Sequence, residues 1–477
     1  MHKAALLAWL ALITSGCASA PGYRASQVQL PTAFRETRDT SVEVPAASAP
    51  AEHVAWPDLG DTTLTSLMGQ LAQSNLDVRA AEERVRGARA ARTEVALDFA
   101  PTVTFSGGYT RQRLAGASFP IGSGAFPDQD IWDGGFDASW ELDLFGRVRR
   151  NVQAQGAFLG VTQEDLRNIQ ISLTAELARA YFDLRGAQEQ LAVATRNAEN
   201  QRRTLALTRE RLEAGRGTAF DTERAQAQLS FTLALVPTLE ARVRQAQYQI
   251  GVLVGRSPTV VAAELDRALP LPDLPDVAVI SAPDSVIRRR PDVAAAERQL
   301  AVERALVGAA KADYLPRVGI GGTAGYSATD FDALGDRGTF RYAVGPVISW
   351  PALNLGRIKA RVDQSRARER EAQAQYDAAV LRAVQDVESS LVRYRTARGR
   401  VSRIREAAAA SERAAELARL RFTGGVADFL QVLDAERTQL EAQDQLAQSR
   451  TEAATAYAAL YKALGGSWPR AGGENGH

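Results

Sequence analysis

Between Gly146 and Gly215 apolar residues return every three, four or seven positions, through Leu166, Ile169, Leu173, Leu177, Tyr181, Leu184 and Leu191. That spacing keeps them on one side of an α-helix. No proline interrupts the stretch, so it predicts one helix of about 68 residues, roughly 100 Å long at about 1.5 Å per residue. The pattern recurs from Arg357 to Thr423 through Leu381, Val384, Val387, Leu391 and Tyr394. Globular domains do not need helices of that length, and sustained three-four spacing marks coiled-coil packing.

Each long helix stops at a glycine turn, EAGRGTAFD (213–221) or FTGGVADF (422–429). A shorter helix of about 36 residues follows each turn by its periodicity. Pro237 falls inside the first of these and costs about 3 kcal/mol unless the helix accommodates it. Another short helix is predicted near 61–98, and its counterpart near 285–313.

Ahead of each long helix the period changes from helical to two. Val103, Phe105, Gly107 and Tyr109 alternate with Thr102, Thr104, Ser106 and Gly108; Phe136, Ala138, Trp140, Leu142 and Leu144 alternate with polar neighbours. The second occurrence uses Val318, Ile320 and Tyr326, then Phe340, Tyr342, Val344, Ile348 and Trp350. Period two predicts strands with one apolar face, two in 101–145 and two in 316–351, each pair joined by a glycine-rich loop.

The order helix, strand pair, long helix, turn, helix therefore occurs twice, and the residues themselves repeat. At an offset of 215 Asp77 falls on Asp292 and Pro101 on Pro316; at 210 Trp140 falls on Trp350, Gly146-Arg147 on Gly356-Arg357 and Gly215 on Gly425. A period that long is a duplicated half rather than a solenoid unit. We read 61–255 and 285–464 as the two halves, 256–284 as their linker and 465–477 as a tail.

Four strands cannot close a barrel, and an open sheet edge is excluded from lipid. Apolar-outward, polar-inward alternation over about ten residues suits a membrane barrel, so closure must come from other copies. The fold class expected is α+β membrane protein: a trimeric twelve-stranded transmembrane β-barrel, four strands per chain, continued by a long α-helical coiled-coil periplasmic barrel. The competing reading is a soluble four-stranded sheet packed on helices.

His2 and Lys3 precede the apolar run Ala4 to Ile13, then Thr14-Ser15-Gly16 and the only cysteine, Cys17. A basic start, a short apolar segment and small residues form a secretory signal, here 1–16. An exported chain with one thiol makes no internal disulfide. The stretch resembles a bacterial lipobox, with Thr14 where such motifs favour Leu, which implies lipidation at Cys17 and attachment to outer membrane lipid. Residues 17–60 read as a lipidated, extended N-terminal segment rich in Pro, Ala, Ser and Thr.

A formal charge of +1 provides no concentrated basic surface, so nucleic acid is not an expected partner. The three histidines, His2, His53 and His477, are scattered, which argues against a metal or histidine-based catalytic site. No enzyme and no cofactor are expected. Two methionines also argue against a dedicated soft-metal exporter.

SVIRRRPDVAAAE (285–297), SWELDLFGRVRR (139–150), KADYLPRVGIGG (311–322), ISWPALNLGRI (348–358) and LVGRSP (253–258) together resemble the TolC-like outer membrane factors, in the lipoprotein branch typified by OprM and NodT. The likeness covers about 55–468. It implies a homotrimeric exit duct whose periplasmic tip docks an adaptor protein, which joins it to an inner-membrane efflux pump. It also implies pore-closing positions at Leu430, Asp434 and Arg437, beside the Gly424-Gly425 turn. Gln431 departs from relatives that carry another Asp there. The first-half equivalents are Phe220, Arg224 and Ala227, with Asp221 the nearest carboxylate. Gly215, Gly217, Gly424 and Gly425 shape the tips that would meet the adaptor, besides closing their helices. Two plainer readings stand beside these: Asp434 and Arg437 as an ordinary surface pair, and the whole chain as a lipid-anchored periplasmic scaffold without a pore.

Overall fold

The structure, a computed structural model, describes residues 28, 30–37, 59–113, 127–275 and 282–466. Cys17, the signal segment and the three histidines lie outside the described residues. Nine α-helices and four strands follow in chain order among those residues. They are α1 Thr62–Ser74, α2 Leu76–Ala96, β1 Thr102–Gln112, β2 Gln129–Leu142, α3 Arg147–Glu213, α4 Ala219–Leu253 and α5 Pro258–Glu264, then α6 Pro283–Arg289, α7 Pro291–Ala312, β3 Arg317–Ala328, β4 Phe340–Ser349, α8 Leu355–Thr423 and α9 Phe429–Ala463.

The long helices α3 and α8 have 67 and 69 residues, about 100 Å each. Near the strands α2 lies beside α3, α3 beside α7 and α7 beside α8. Towards the tips α4 lies beside α3, α3 beside α9 and α9 beside α8. Two short helices in succession thus accompany each long one. The helices form a single layer bounded by α2 and α4 on one side and by α8 on the other, α8 meeting α7 near the strands and α9 towards the tips.

Two expectations need correcting. The short helix expected over 61–98 is two helices broken at Asn75, and the one over 285–313 breaks at Arg290. Asn75 turns out of the helical region at ψ 130° and caps α2 by accepting from the Asp77 and Val78 amides. Pro291 at the start of α7 forces the same extended turn on Arg290. Leu381, read as part of the buried stripe of α8, is 56% exposed; its neighbour Val380 takes the core position, followed by Ala383, Val387, Leu391 and Tyr394. Pro237, by contrast, is carried within a continuous α4, on its exposed side.

The main core sits midway along α3. Leu177, Tyr181, Phe182 and Leu184 are buried there with Leu64, Leu67 and Leu71 of α1, and with Ile250 and Leu253 of α4. The Tyr181 hydroxyl donates to Asp61, whose other oxygen caps α1. Burial, reinforced by that bond, pushes the Tyr181 phenol up to about 12. A second core joins α8 and α9 through Val387, Leu391, Tyr394, Tyr457 and Leu460. No helix of the described residues is long and apolar enough to cross a membrane.

Candidate functional site

The four strands form one antiparallel sheet in the order β1-β2-β3-β4. Register fixes the two faces: Phe105 lies opposite Phe136, Tyr109 opposite Trp132, Trp140 opposite Ile320, and Tyr326 opposite Phe340. These residues, with Val103, Tyr342, Val344 and Ile348, make one broad apolar face. Phe105 is 66% exposed and Tyr342 73%, because nothing among the described residues covers that face. Rings cluster towards the loop end, Tyr109 with Trp132 at 4.5 Å and Trp132 with Phe331 at 5.1 Å. At the helix end two indoles make equivalent bonds: Trp140 Nε1 donates to the Phe99 carbonyl at 2.9 Å and Trp350 Nε1 to the Tyr314 carbonyl at 3.1 Å. From Trp132 to Trp140 is about 26 Å of strand, or about 20 Å of depth at a tilt of about 40°. Leu144, expected on this face, lies in the turn after β2.

The opposite face carries Thr104, Ser106, Asp133, Gly135, Asp137, Thr323, Gly325 and Arg341. Ser106 donates to Asp137 at 2.7 Å, and Arg341 pairs with Asp133 at 3.4 Å. Gly135 and Gly325 face one another across β2 and β3. A Cβ on Gly135 would stand 2.8 Å from the Ala324 carbonyl oxygen, and one on Gly325 2.4 Å from that of Gly134. Strand backbones approach here as only glycine permits, a device of strongly coiled sheets. One face is thus suited to lipid and the other, small and polar, to a water-filled interior.

At the far end of the helices the two turns have the same construction. Gly215 (φ 67°) follows α3 and Gly425 (φ 76°) follows α8, and the next amides, of Arg216 and Val426, donate back to the Arg211 and Arg421 carbonyls. Left-handed backbone at this position is a standard helix stop. Gly217 sits in a tight place: an added Cβ would stand 3.0 Å from the Leu212 nitrogen. Gly424 ends α8 with ordinary φ. The helices that follow start differently, at Thr218, which exchanges bonds with Asp221, and at Asp428, which accepts from the Gln431 amide. The Asp221 carboxylate thus holds the hydroxyl of Thr218, the residue that caps α4.

Leu430, Asp434 and Arg437 do lie on one side of α9, and Arg224, Ala227 and Phe231 of α4 line the same groove. Two of the three first-half equivalents, Arg224 and Ala227, thus face the second-half residues within one chain. Phe220, 64% exposed, stands outside the groove with the Arg224 guanidinium over its ring. Arg437 pairs with Asp434 at 3.3 Å, and both side chains are more than half exposed. Such an exposed pair stabilises one chain by only tenths of a kcal/mol.

A residue beside them was missed. Glu436 is 3% exposed, accepts from Thr204 Oγ1 at 2.8 Å and pairs with Arg419 at 3.1 Å, so it ties α9 to both long helices. Its spacing from Val432 and Gln439, both buried, places a charge on the core stripe of α9, and that was its signal in the sequence. Further along the seam between α3 and α9, Asn197 donates to Gln443 at 2.9 Å and Gln190 to Asp444 at 2.7 Å.

Comparison with known proteins agrees with this geometry. The chain is 27% identical over 465 residues to nodulation protein T of Rhizobium leguminosarum bv. trifolii, covering 96% of each chain. It is 29% identical over 474 residues to the antibiotic efflux pump outer membrane protein ArpC of Pseudomonas putida, covering 97% of this chain and 95% of that one. The structure of the outer-membrane channel OprN superposes with a TM-score of 0.86 at 36% identity, over 95% of this chain and all of that one. The open state of the MtrE outer membrane channel of Neisseria gonorrhoeae does so with a TM-score of 0.79 at 27% identity, over 94% and 98%. The sequence model of outer membrane efflux proteins matches twice, over residues 67–256 and 282–466. The chain belongs to the outer membrane efflux protein family.

Proposed function

We propose that this chain is one third of an outer membrane exit duct, the channel component of a tripartite efflux system. Three copies supply twelve strands, a closed barrel whose aromatic face meets lipid and whose small, polar face lines the pore. The helical layer, open at both margins, closes in the same way into a periplasmic barrel. Substrates delivered by an inner-membrane pump through a periplasmic adaptor leave along this passage unchanged, and no reaction is assigned to the chain. Cys17 carries acyl chains in the outer membrane. Leu430, Asp434 and Arg437 of three copies, with Arg224 across each groove, narrow the tip, while Gly215, Gly217, Gly424 and Gly425 shape the turns that the adaptor meets.

The observation that carries this reading is the sheet: four strands with, among the described residues, two free edges, one face aromatic and uncovered, the other small and polar. A pore-free scaffold has no use for such a face. The test is reconstitution. Protein extracted from outer membranes should run as a heat-modifiable trimer and give discrete conductance steps in planar bilayers. A folded monomer that leaves vesicles sealed would remove the proposal.

A further inference from the structure

The two halves differ where the helix before each strand pair begins. In the first half α1 has 13 residues, and its Leu64 and Leu67 share a core with Leu177, Tyr181 and Leu184 of α3. Its counterpart α6 has 7 residues, Pro283–Arg289. Among the described residues, the equivalent surface of α8, Val387, Leu391 and Tyr394, each 210 positions further on, has no helical counterpart of those two leucines. Phe34 fills that place. It is 1% exposed and packs with Val387, Leu391 and Tyr394.

Polar contacts fix the segment around it. The Glu388 carboxylate accepts from the Arg35 and Glu36 amides at 2.7 and 3.3 Å, and Arg395 pairs with Glu36 at 2.5 Å. Val28 and Leu30 pack on the neighbouring core that contains Ala372, Tyr376 and Val380. These α8 residues are closer to the strands than Val387 is. From Phe34 back to Val28 the chain thus heads along α8 towards the sheet.

We propose that Val28 and residues 30–37 belong to a strap of measured length that moors the helices to the acyl anchor; this rests on Cys17 being acylated. Phe34 follows Cys17 by 17 residues, a reach of at most about 56–61 Å. Leu391, at the centre of the seat, is 36 residues along α8 from Leu355, about 54 Å from the strands. An anchor in the membrane leaflet nearest the helices reaches the seat with about 10 Å or less to spare. Anchor and seat are both satisfied at the native spacing, and a shorter connection must sacrifice one. The load falls on α8, which runs from the sheet to the Gly424-Gly425 turn.

Removing Ser19 to Ser26 cuts the reach to about 32 Å. The variant is made with the native leader and with a cleavable leader that leaves no cysteine. A third chain carries eight added Gly/Ser residues after Ala18. Trypsin cleavage after Arg35 in outer membrane fragments reports the seat, with Phe34→Ala as the unseated standard, and a clickable palmitate analogue reports the anchor. The shortened, anchored chain should be cleaved at least ten times faster than the native one. The lengthened chain and the shortened chain without an anchor should match the native rate within about twofold. Native protection in the shortened, anchored chain overturns the measured strap while leaving acylation standing. Rapid cleavage without the anchor overturns it as well, since tension would not be the cause. Absence of palmitate label from the native chain removes the acyl reading and the strap with it.

Discussion

Asn75 and Arg290, 215 positions apart, each end one helix, begin the next and reach to the last carbonyl of their own half's final helix. Asn75 Nδ2 donates to Leu253 at 2.7 Å, and Arg290 Nη1 donates to Ala463 at 3.1 Å. The same joint is made with an amide in one half and a guanidinium in the other. Asn75→Ala removes the cap of α2 and leaves the Leu253 carbonyl unpaired, and should cost about 2 kcal/mol. Asn75→Asp keeps the cap but sets a carboxylate against the negative end of α4, so it should fall below wild type in trimer dissociation temperature.

The Arg290 joint also carries a pH signature. Burial works against the Asp292 carboxylate, but the hydrogen bonds and charge of Arg290 outweigh it and hold its pKa below the usual carboxylate range. A group depressed in the folded state gives stability that is complete above the ordinary carboxylate pKa and lost as pH falls through the folded value. Arg290→Met should therefore lower the dissociation temperature at pH 7, and its curve should fall less than wild type between about pH 4 and pH 2.

At the tip, Asp434→Ala combined with Arg437→Ala removes a pair that contributes little to one chain. Folding and trimer yield should stay at wild-type level while single-channel conductance rises at least about twofold, as expected when a charged constriction widens. Unchanged conductance from an intact trimer would assign the pair to the solvated surface.

Glu436 and Arg419 are predicted to be coupled. Arg419→Met strands a buried carboxylate with only Thr204 as partner and should cost about 3 kcal/mol. Adding Glu436→Gln removes the charge and should recover at least about 1 kcal/mol. A double-mutant cycle in denaturant measures the difference, and additive losses would dissolve the link.

Where α3 crosses α9, a Cβ on Gly186 would lie 1.9 Å from Thr451 Oγ1. Gly186→Ala should destabilise by about 2 kcal/mol through overpacking. Exchanging the sizes, Gly186→Ala with Thr451→Gly, should return about half of that, the remainder being the cost of a glycine within α9. Thermal dissociation of the two variants decides it.

The long helices, the strand faces and their order were legible because each pattern runs for many residues, so one displaced residue does not disturb it. The helix joints were not. Pro291 after Arg290 was a visible stop, whereas Asn75 looks like an ordinary polar residue in a helical run until its amide is seen reaching Leu253. Leu381 was misassigned because Val380 beside it is equally apolar and periodicity cannot choose between adjacent candidates. The spacing of Leu430, Asp434 and Arg437 gave their shared side of α9, but their partners were not foreseen. That Arg224 and Phe231 share their groove depends on how α4 packs, and so does the burial of Glu436. Phe34 was invisible for another reason: its surroundings have the composition of a linker, and only the shortened α6 makes a place for it.

The free margins of the sheet have a last consequence, for the order of events during biogenesis. Among the described residues β1 and β4 are each paired on one side only, so alternate residues of strands 11 and 10 residues long turn their amides and carbonyls to the open edge. In hydrocarbon each such group costs several kcal/mol, which makes a solitary chain a forbidden guest in the bilayer. In the proposed trimer, insertion would therefore follow association, with copies crossing into lipid together, and the rate of maturation should depend steeply on how many are waiting.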